Sequence, residues 1–250
     1  MIKPHYIKLF LAPVLWGGAL VAGRIVAVNL PPFTTTLLRY IAVSLFLLPI
    51  LYWKNGNFPV PTKKNMILLA LVSISGVLLF NYFLFSGLRT VTAIRSAIFI
   101  ATTPIVISLL SAIFFHEKLS LPMITGIFIS FLGAVTTLTD GNLTILFKEQ
   151  VSIGDLYLVA CIFAWAAYSI SVKYTIKEIS TLTVLTYSSV IGVILLIPLA
   201  IQEGAVITLG TQPFSTWLSI LYLSIGAAGF AHLWYYEGIE AIGVSRSAIF

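Results

Sequence analysis

The chain has 250 residues, of which 59% are hydrophobic and only 9% are charged. A water-soluble domain of this length could not bury so much apolar surface in one core, so we expect its main partner to be the lipid bilayer. The formal net charge of +6 comes from basic residues that lie singly or in pairs, which argues against a nucleic-acid partner.

Apolar stretches follow one another along the chain, separated by short polar segments. A helix needs about 20 apolar residues to cross a membrane, and strands are a poor alternative because these stretches are apolar on all sides. The first stretch is longer than the core of a signal peptide, so we interpret it as a retained helix. The predicted spans lie near residues 7–28, 33–53, 65–87, 93–115, 121–139, 154–173, 182–201 and 214–237, and a ninth begins at Val244.

The distribution of lysine and arginine predicts how these spans are oriented. Cytoplasmic loops carry an excess of basic residues. A cytoplasmic N-terminus places nine of them on the inner side and three on the outer side, so we expect that orientation, in the plasma or inner membrane of the cell. The inner residues are Lys3, Lys8, Lys54, Lys63, Lys64, Lys118, Lys173, Lys177 and Arg246, and the outer ones are Arg89, Arg95 and Lys148.

The pentapeptide RSAIF occurs twice, at residues 95–99 and 246–250. Other landmarks recur at nearly the same separation and in the same order, which indicates an internal duplication. Pairs separated by 149 residues are Trp16 and Trp165, Arg24 and Lys173, Thr34 and Thr183, and Pro49 and Pro198. Pairs separated by 151 residues are Asn81 and His232, and Gly87 and Gly238.

The duplication predicts an all-α polytopic fold built from inverted five-helix repeats. Because the first unit contains five spans, an odd number, the second unit would enter the membrane from the opposite face. Folds of this kind hold a solute near the midplane between their halves. The predicted units are a first repeat at 1–139, a loop at 140–153 and a second, incomplete repeat at 154–250.

Two segments resemble the EamA-type transporters of the drug/metabolite transporter superfamily. The first, WGGALVAGRIVAVNLPPFTTTLLRYIAVSLFLLPIL, has a Trp-Gly pair in span one and an arginine, Arg39, in span two. The second, GLRTVTAIRSAIFIATTPIVISLLSAIFFHEKLSLPMITGIFISFLGAVTTL, has Pro104 within span four and Glu117 at its end.

This resemblance implies a ten-helix carrier for small organic metabolites such as amino acids, often an exporter that works by alternating access. Spans nine and ten of that fold would follow the start of the ninth span at Val244. We therefore expect these 250 residues alone not to transport. A passive facilitator or channel, and a membrane scaffold or sensor, remain alternatives.

The sequence gives little support to catalysis. It contains no HExxH metal-binding helix, no nucleophile with a positioned base and no phosphate-binding loop. We expect the protein not to be an enzyme, to need no metal or cofactor, and to transport without ATP.

Two polar residues within spans, Asn81 and His232, are candidates for substrate contact. Polar groups inside a bilayer are costly and often functional, so both could line a central cavity. A histidine side chain ordinarily titrates near neutral pH, so we expect that His232 could carry a coupling proton, as could Glu237 at the end of span eight. Alternatively, Asn81 and His232 bond neighbouring helices, and Glu237 is a solvated helix-end acid.

The remaining site candidates are aromatic residues, one arginine and two residues of span four. The aromatic rings could bind aromatic or cationic solutes, or could only pack between helices. Pro104 frees a backbone carbonyl and predicts a kink where the span could flex. Small residues on span five predict a close-packing face, for another helix or for a second protomer in a homodimer. The candidates are Trp16, Arg39, Tyr82, Thr103, Pro104, Trp165, Tyr168 and Tyr236, and the small residues are Gly126, Ser130 and Ala134.

Overall fold

The computed structural model describes residues 4–115, 120–139, 141–142, 151–204 and 209–250. These residues form helices joined by short connections and contain no strand. Four residues used in the sequence analysis lie outside these ranges, as does most of the predicted 140–153 loop. They are Lys3, Glu117, Lys118 and Lys148.

Long helices make up nearly all of the described chain. They are α1 (Pro4–Asn29), α2 (Pro32–Asn55), α3 (Lys63–Thr90), α4 (Ala93–Ala101), α5 (Thr103–Phe115), α6 (Leu121–Leu138), α7 (Ile153–Thr175), α8 (Thr181–Gln202), α9 (Phe214–Ile242) and α10 (Val244–Ser247). A 3-10 turn, Leu209–Thr211, precedes α9.

Seven helical segments of the described chain are long and apolar enough to cross a membrane. They correspond to predicted spans one to four, with α4 and α5 together forming the fourth, and to predicted spans six to eight. Helix α6 is the predicted fifth span and contains a shorter apolar stretch, Ile124–Thr137. The short α10 begins at Val244, where the ninth span was predicted. The all-helical membrane architecture is confirmed.

Helix ends follow local sequence signals. The side chains of Thr62 and Ser180 accept hydrogen bonds from backbone N–H groups in the first turns of α3 and α8. Helix α7 begins with a capping box, in which Ser152 and Asp155 satisfy each other's backbone N–H groups. Helix α2 ends at Asn55. The next residue, Gly56, has a φ of 72°, a left-handed backbone conformation that glycine adopts without strain.

Two π-helical segments interrupt α3 and α9 at equivalent places. They are Ser73–Phe80 and Tyr222–Ala231, whose first residues are 149 apart and whose last residues are 151 apart. Long π-helical segments are rare and are often found at functional sites. They bring Asn81 and His232 to the same position in their helices, directly after the π segment.

The fourth span is broken at Thr102, between α4 and α5. Pro104 follows two residues later. Its backbone nitrogen carries no hydrogen and cannot donate, and its ring clashes with the preceding turn of a regular helix. The backbone N–H and the hydroxyl of Thr102 both donate to the carbonyl of Phe99, at 3.0 and 2.6 Å. The break lies where the proline predicts a kink, and a role in flexing stays a prediction.

The two halves of the chain, residues 4–139 and 151–250, pack closely against each other through α2 with α8 and α3 with α7. Glycine allows the closest approaches. A Cβ atom on Gly76 would lie 2.1 Å from Cδ2 of Tyr168, and one on Gly192 would lie 2.4 Å from Val77. The helices can therefore pack this closely against each other only because Gly76 and Gly192 carry no side chain.

Candidate functional site

A cavity of about 490 Å³ lies between helices of the two halves. Its wall is formed by α1, α3, α4, α5, α6, α7, α9 and α10, by one residue of α2, and by the last residues of the chain. Because the wall comes from both halves, a movement of one half against the other would change access to the cavity. Its volume falls in the range of about 300–1,000 Å³ that is usual for small-molecule sites.

The cavity includes some of the predicted site residues and not others. Those in its wall are Trp16, Arg39, Thr103, Pro104, Trp165 and His232. Those outside the wall are Asn81, Tyr82, Tyr168, Tyr236 and Glu237.

An aromatic cluster forms one side of the cavity. Trp16 of α1 and Trp165 of α7 meet edge to face, with ring centroids 5.4 Å apart. Tyr235 stacks on Trp165 at 5.5 Å, and His232 contacts both tryptophans at 5.5 and 5.6 Å. Trp16 also donates from Nε1 to the carbonyl of Ala227 at 3.1 Å. The tryptophan pair therefore lies in the cavity wall and also packs between helices, and its contact with a solute stays a prediction.

Arg39 brings a positive charge into the cavity wall. Its side chain is buried, with 3% of the residue exposed. Nε donates to the carbonyl of Leu223 at 3.0 Å, and Nη1 donates to Oδ1 of Asn81 at 2.6 Å. Both acceptors are neutral, and within the described ranges no carboxylate pairs with this guanidinium.

Asn81 lies behind Arg39, where it is fully buried. Its Oδ1 accepts from Arg39, and its Nδ2 donates to the carbonyls of Gly76 and Val77 at 2.8 and 3.0 Å. The amide is therefore used by the protein itself. The sequence makes Asn81 a candidate for the cavity wall; in this structure it lies behind that wall and holds Arg39, which lines it.

His232 lines the cavity and bonds its own helix. Nδ1 lies 2.6 Å from the carbonyl of Ala227, and because a carbonyl only accepts, Nδ1 carries a proton. The other ring nitrogen, Nε2, holds the lone pair when the ring is neutral. Asn81 and His232 each bond the carbonyl five residues earlier, Gly76 and Ala227, inside the equivalent π segments. Asn81 and His232 therefore resemble each other in the backbone carbonyl that each side chain bonds. Of the two, His232 lines the cavity and Asn81 does not.

Three predicted tyrosines are used in packing away from the cavity. The hydroxyls of Tyr168 and Tyr236 bond each other at 2.5 Å, in a buried position between α7 and α9. Tyr82 stacks on Phe33 with centroids 4.7 Å apart. These three rings therefore fill contacts between helices and lie outside the wall of this cavity, and their contact with a solute stays a prediction.

Glu237 forms an ion pair with Lys8, at 2.5 Å between Oε2 and Nζ. Both side chains are about one-third exposed, and the pair lies near the start of α1, outside the cavity wall. Of the small residues on α6, Ser130 and Ala134 line the cavity, whereas a Cβ atom on Gly126 would have nothing within 4 Å.

Polar contacts join the two halves at the face where α1 and α3 end. Nε and Nη2 of Arg95 donate to the two carboxylate oxygens of Asp155, each at 2.9 Å. The carboxylate of Glu203 accepts from the backbone N–H groups of Phe33 and Thr34, at 3.1 and 2.8 Å, at the start of α2. Negative charge at a helix N-terminus is favourable.

Further contacts between the halves lie at the opposite face, where α1 and α3 begin. They are the Lys8–Glu237 pair and the Lys64–Glu178 pair, the latter at 2.7 Å. The sequence analysis did not identify Asp155 or Glu203 as partners. The pattern from Ser152 to Asp155 is a readable capping signal, but nothing local links Asp155 to Arg95.

The EamA-like transporter family model matches this chain twice, at residues 3–139 and 152–250. The family is named for transport and not for catalysis, and so are the similar proteins described next.

Three relatives are similar over 98% of this chain. The uncharacterized transporter YetK of Bacillus subtilis (strain 168) is 26% identical, with 74% of its own length covered. The uncharacterized transporter YyaM of the same organism is 24% identical, with 80% covered. An uncharacterized transporter of Archaeoglobus fulgidus is 28% identical, with 83% covered.

A chain of known crystal structure superposes with a TM-score of 0.73, over 98% of this chain and 82% of that chain, at 19% identity. This likeness concerns the fold alone. The family matches cover nearly all of the sequence. This integral multi-pass membrane protein therefore belongs to the EamA-like transporter family.

Proposed function

We propose that the protein is a secondary transporter that exports small organic metabolites, amino acids among them, by alternating access. The observation that carries this proposal is the cavity between the halves, whose wall combines Trp16 of the first half with Trp165 of the second. Polar contacts between the halves lie at both faces of the bundle. If those at one face break while those at the other hold, the cavity opens to one side at a time.

Inverted repeats give this movement a structural basis. The equivalent π segments, and the equivalent bonds of Asn81 and His232 to the fifth preceding carbonyl, support a duplication that extends to details of helix geometry. In our proposal the N-terminus is cytoplasmic, in the plasma or inner membrane. The face joined by Arg95 and Asp155 is then the outer one. Export is the direction that the family resemblance implies.

Flux in proteoliposomes tests this function, measured with a purified chain that includes spans nine and ten of the ten-helix fold; this chain is called the full-length protein below. A panel of labelled amino acids and other small organic acids and amines would be measured with and without a pH gradient, against protein-free liposomes. Saturable flux of at least one solute supports a carrier. Flux that stays linear with concentration supports a facilitator or channel, and no flux of any solute contradicts transport.

Proton coupling through His232 forms part of the proposal. Its Nδ1 proton is held by Ala227, so a coupling proton would bind at Nε2. A flux that the pH gradient does not change would remove this role.

A further inference from the structure

We infer that the cavity selects solutes with a net negative charge, specifically small organic carboxylates with an apolar or aromatic body, and that Arg39 is the residue that determines this selectivity. The inference rests on the proposed transport function and narrows its range of solutes, since among small organic metabolites it favours carboxylates without an amino group over zwitterionic amino acids.

Arg39 carries a buried positive charge that no carboxylate among the described residues neutralises. A buried ion is costly unless an opposite charge or sufficient hydrogen bonds compensate it, and the cost is greater within a membrane. Here the two hydrogen-bond acceptors, on Leu223 and Asn81, are neutral oxygens. A guanidinium has five N–H donors. Two bonds therefore leave three donors without a hydrogen-bond partner among the described residues, on a side chain that lines the cavity. The guanidinium carbon also lies 5.7 Å from the ring centroid of Tyr40, a contact that brings no negative charge.

The geometry of these free donors favours a carboxylate. Arginine binds carboxylates through two parallel N–H···O bonds, which are stronger than bonds to neutral oxygens. Asn81 fixes Nη1, and Leu223 fixes Nε, so the guanidinium is held in place before a solute arrives. Such preorganisation lowers the entropy lost on binding.

The rest of the wall argues against a second charge on the solute. No aspartate, glutamate or lysine occurs among the described residues that line the cavity. An ammonium group would therefore find aromatic rings and the Nε2 lone pair of His232, but no carboxylate. A zwitterion would have to lose the hydration of its ammonium group without an ionic partner, which is costly in a buried site.

The body of the solute would lie against apolar side chains. Phe80, Leu84, Phe85, Ile100 and Ile107 line the cavity together with the tryptophan pair. This surface rewards a hydrophobic or aromatic group, because its burial removes apolar area from water. A small carboxylate with a single ring would match both the charge and the walls.

Equilibrium dialysis of the purified full-length protein in detergent tests the inference without requiring flux. The probes share one aromatic body and differ in charge: phenylacetate is an anion, phenylacetamide is neutral, phenylalanine is a zwitterion and phenethylamine is a cation. We expect phenylacetate to bind at least about tenfold more tightly than the other three, as a charge-assisted bond requires. Equal or tighter binding of the amide or the zwitterion, or no binding of any probe, would overturn the inference.

Arginine variants locate the selectivity. Arg39→Gln should lose at least about tenfold in phenylacetate affinity while its phenylacetamide affinity changes little. Arg39→Lys should keep part of the preference for the anion. Arg24→Gln is the matched control, because Arg24 donates to the carbonyl of Leu88 and does not line the cavity. A preference for the anion that survives Arg39→Gln would also overturn the assignment.

The binding experiment and the flux experiment can contradict the two proposals independently. If phenylacetate binds as expected but no solute crosses the membrane, the inference about the cavity holds and the transport proposal fails. If solutes are transported but phenylacetate does not bind, transport holds and the inference fails.

Discussion

Trp16 and Trp165 come from the two halves of the chain and meet edge to face at the cavity, with ring centroids 5.4 Å apart. They are also 149 residues apart in the sequence, the separation that relates other equivalent positions. The same pair therefore joins the halves and lines the space between them.

This pair predicts energetic coupling. Trp16→Ala and Trp165→Ala should each lower the melting temperature in detergent, and the double variant should lose less than the sum of the two. An aromatic pair contributes about 0.5–1.5 kcal/mol beyond its buried area, which sets the expected coupling. Strictly additive effects would show that the rings do not interact.

The Gly76 position predicts a steric effect. Gly76→Ala should destabilise the protein by about 1–3 kcal/mol, because overpacking forces neighbours to move. The new Cβ would lie 2.1 Å from the ring of Tyr168. Thermal melting in detergent is the measurement, and Gly126→Ala is the control, since nothing lies within 4 Å of its Cβ. Equal melting temperatures for the two variants would contradict the packing of α3 on α7.

The amide of Asn81 predicts a loss of both stability and anion binding. Asn81→Ala should cost about 1–3 kcal/mol, because it removes the bonds to the carbonyls of Gly76 and Val77 and leaves the buried Nη1 group of Arg39 without its acceptor. Asn29→Ala is the control, since that side chain is exposed and can exchange its bonds for water. An Asn81→Ala variant as stable as the control would show that the amide does not support Arg39.

The Arg95–Asp155 pair predicts a shift between conformations. The two side chains are only 16% and 4% exposed, so Arg95→Gln leaves a largely buried carboxylate without its bidentate partner. We expect faster hydrogen exchange at the starts of α4 and α7. Lys64→Gln breaks an exposed pair, in which Lys64 is 68% exposed, and should change stability by less than about 1 kcal/mol. Unchanged exchange in Arg95→Gln would mean that this pair does not hold its face closed.

Proton coupling predicts a difference between two titratable groups. His232→Gln should remove the dependence of flux on the pH gradient while exchange of solute continues, because it removes the ring nitrogen that would bind the proton. Glu237→Gln breaks an ion pair outside the cavity and should leave that dependence intact. Gradient-driven flux in the histidine variant would assign the proton to another group.

Hydrophobicity predicted the helices well because lipid requires long, uniformly apolar segments. The end of α9 was misplaced: the prediction stopped at residue 237, where the charge suggested a boundary, but Lys8 pairs with Glu237 and the helix continues to Ile242. The cost of a polar group in a membrane predicted that Asn81 contacts either a solute or a neighbouring helix, and in this structure it bonds Arg39 of α2. Which partners it has depends on how α2 and α3 pack, and no local pattern contains that information.

Counterflow tests alternating access most directly. Proteoliposomes containing the full-length protein would be loaded with the unlabelled solute that gives the strongest saturable flux, and a trace of labelled solute would be added outside. Alternating access predicts transient accumulation of label inside, because a loaded site returns across the membrane and exchanges one molecule for another. Label that only equilibrates with the outside concentration, at a rate that internal solute does not change, would contradict the mechanism.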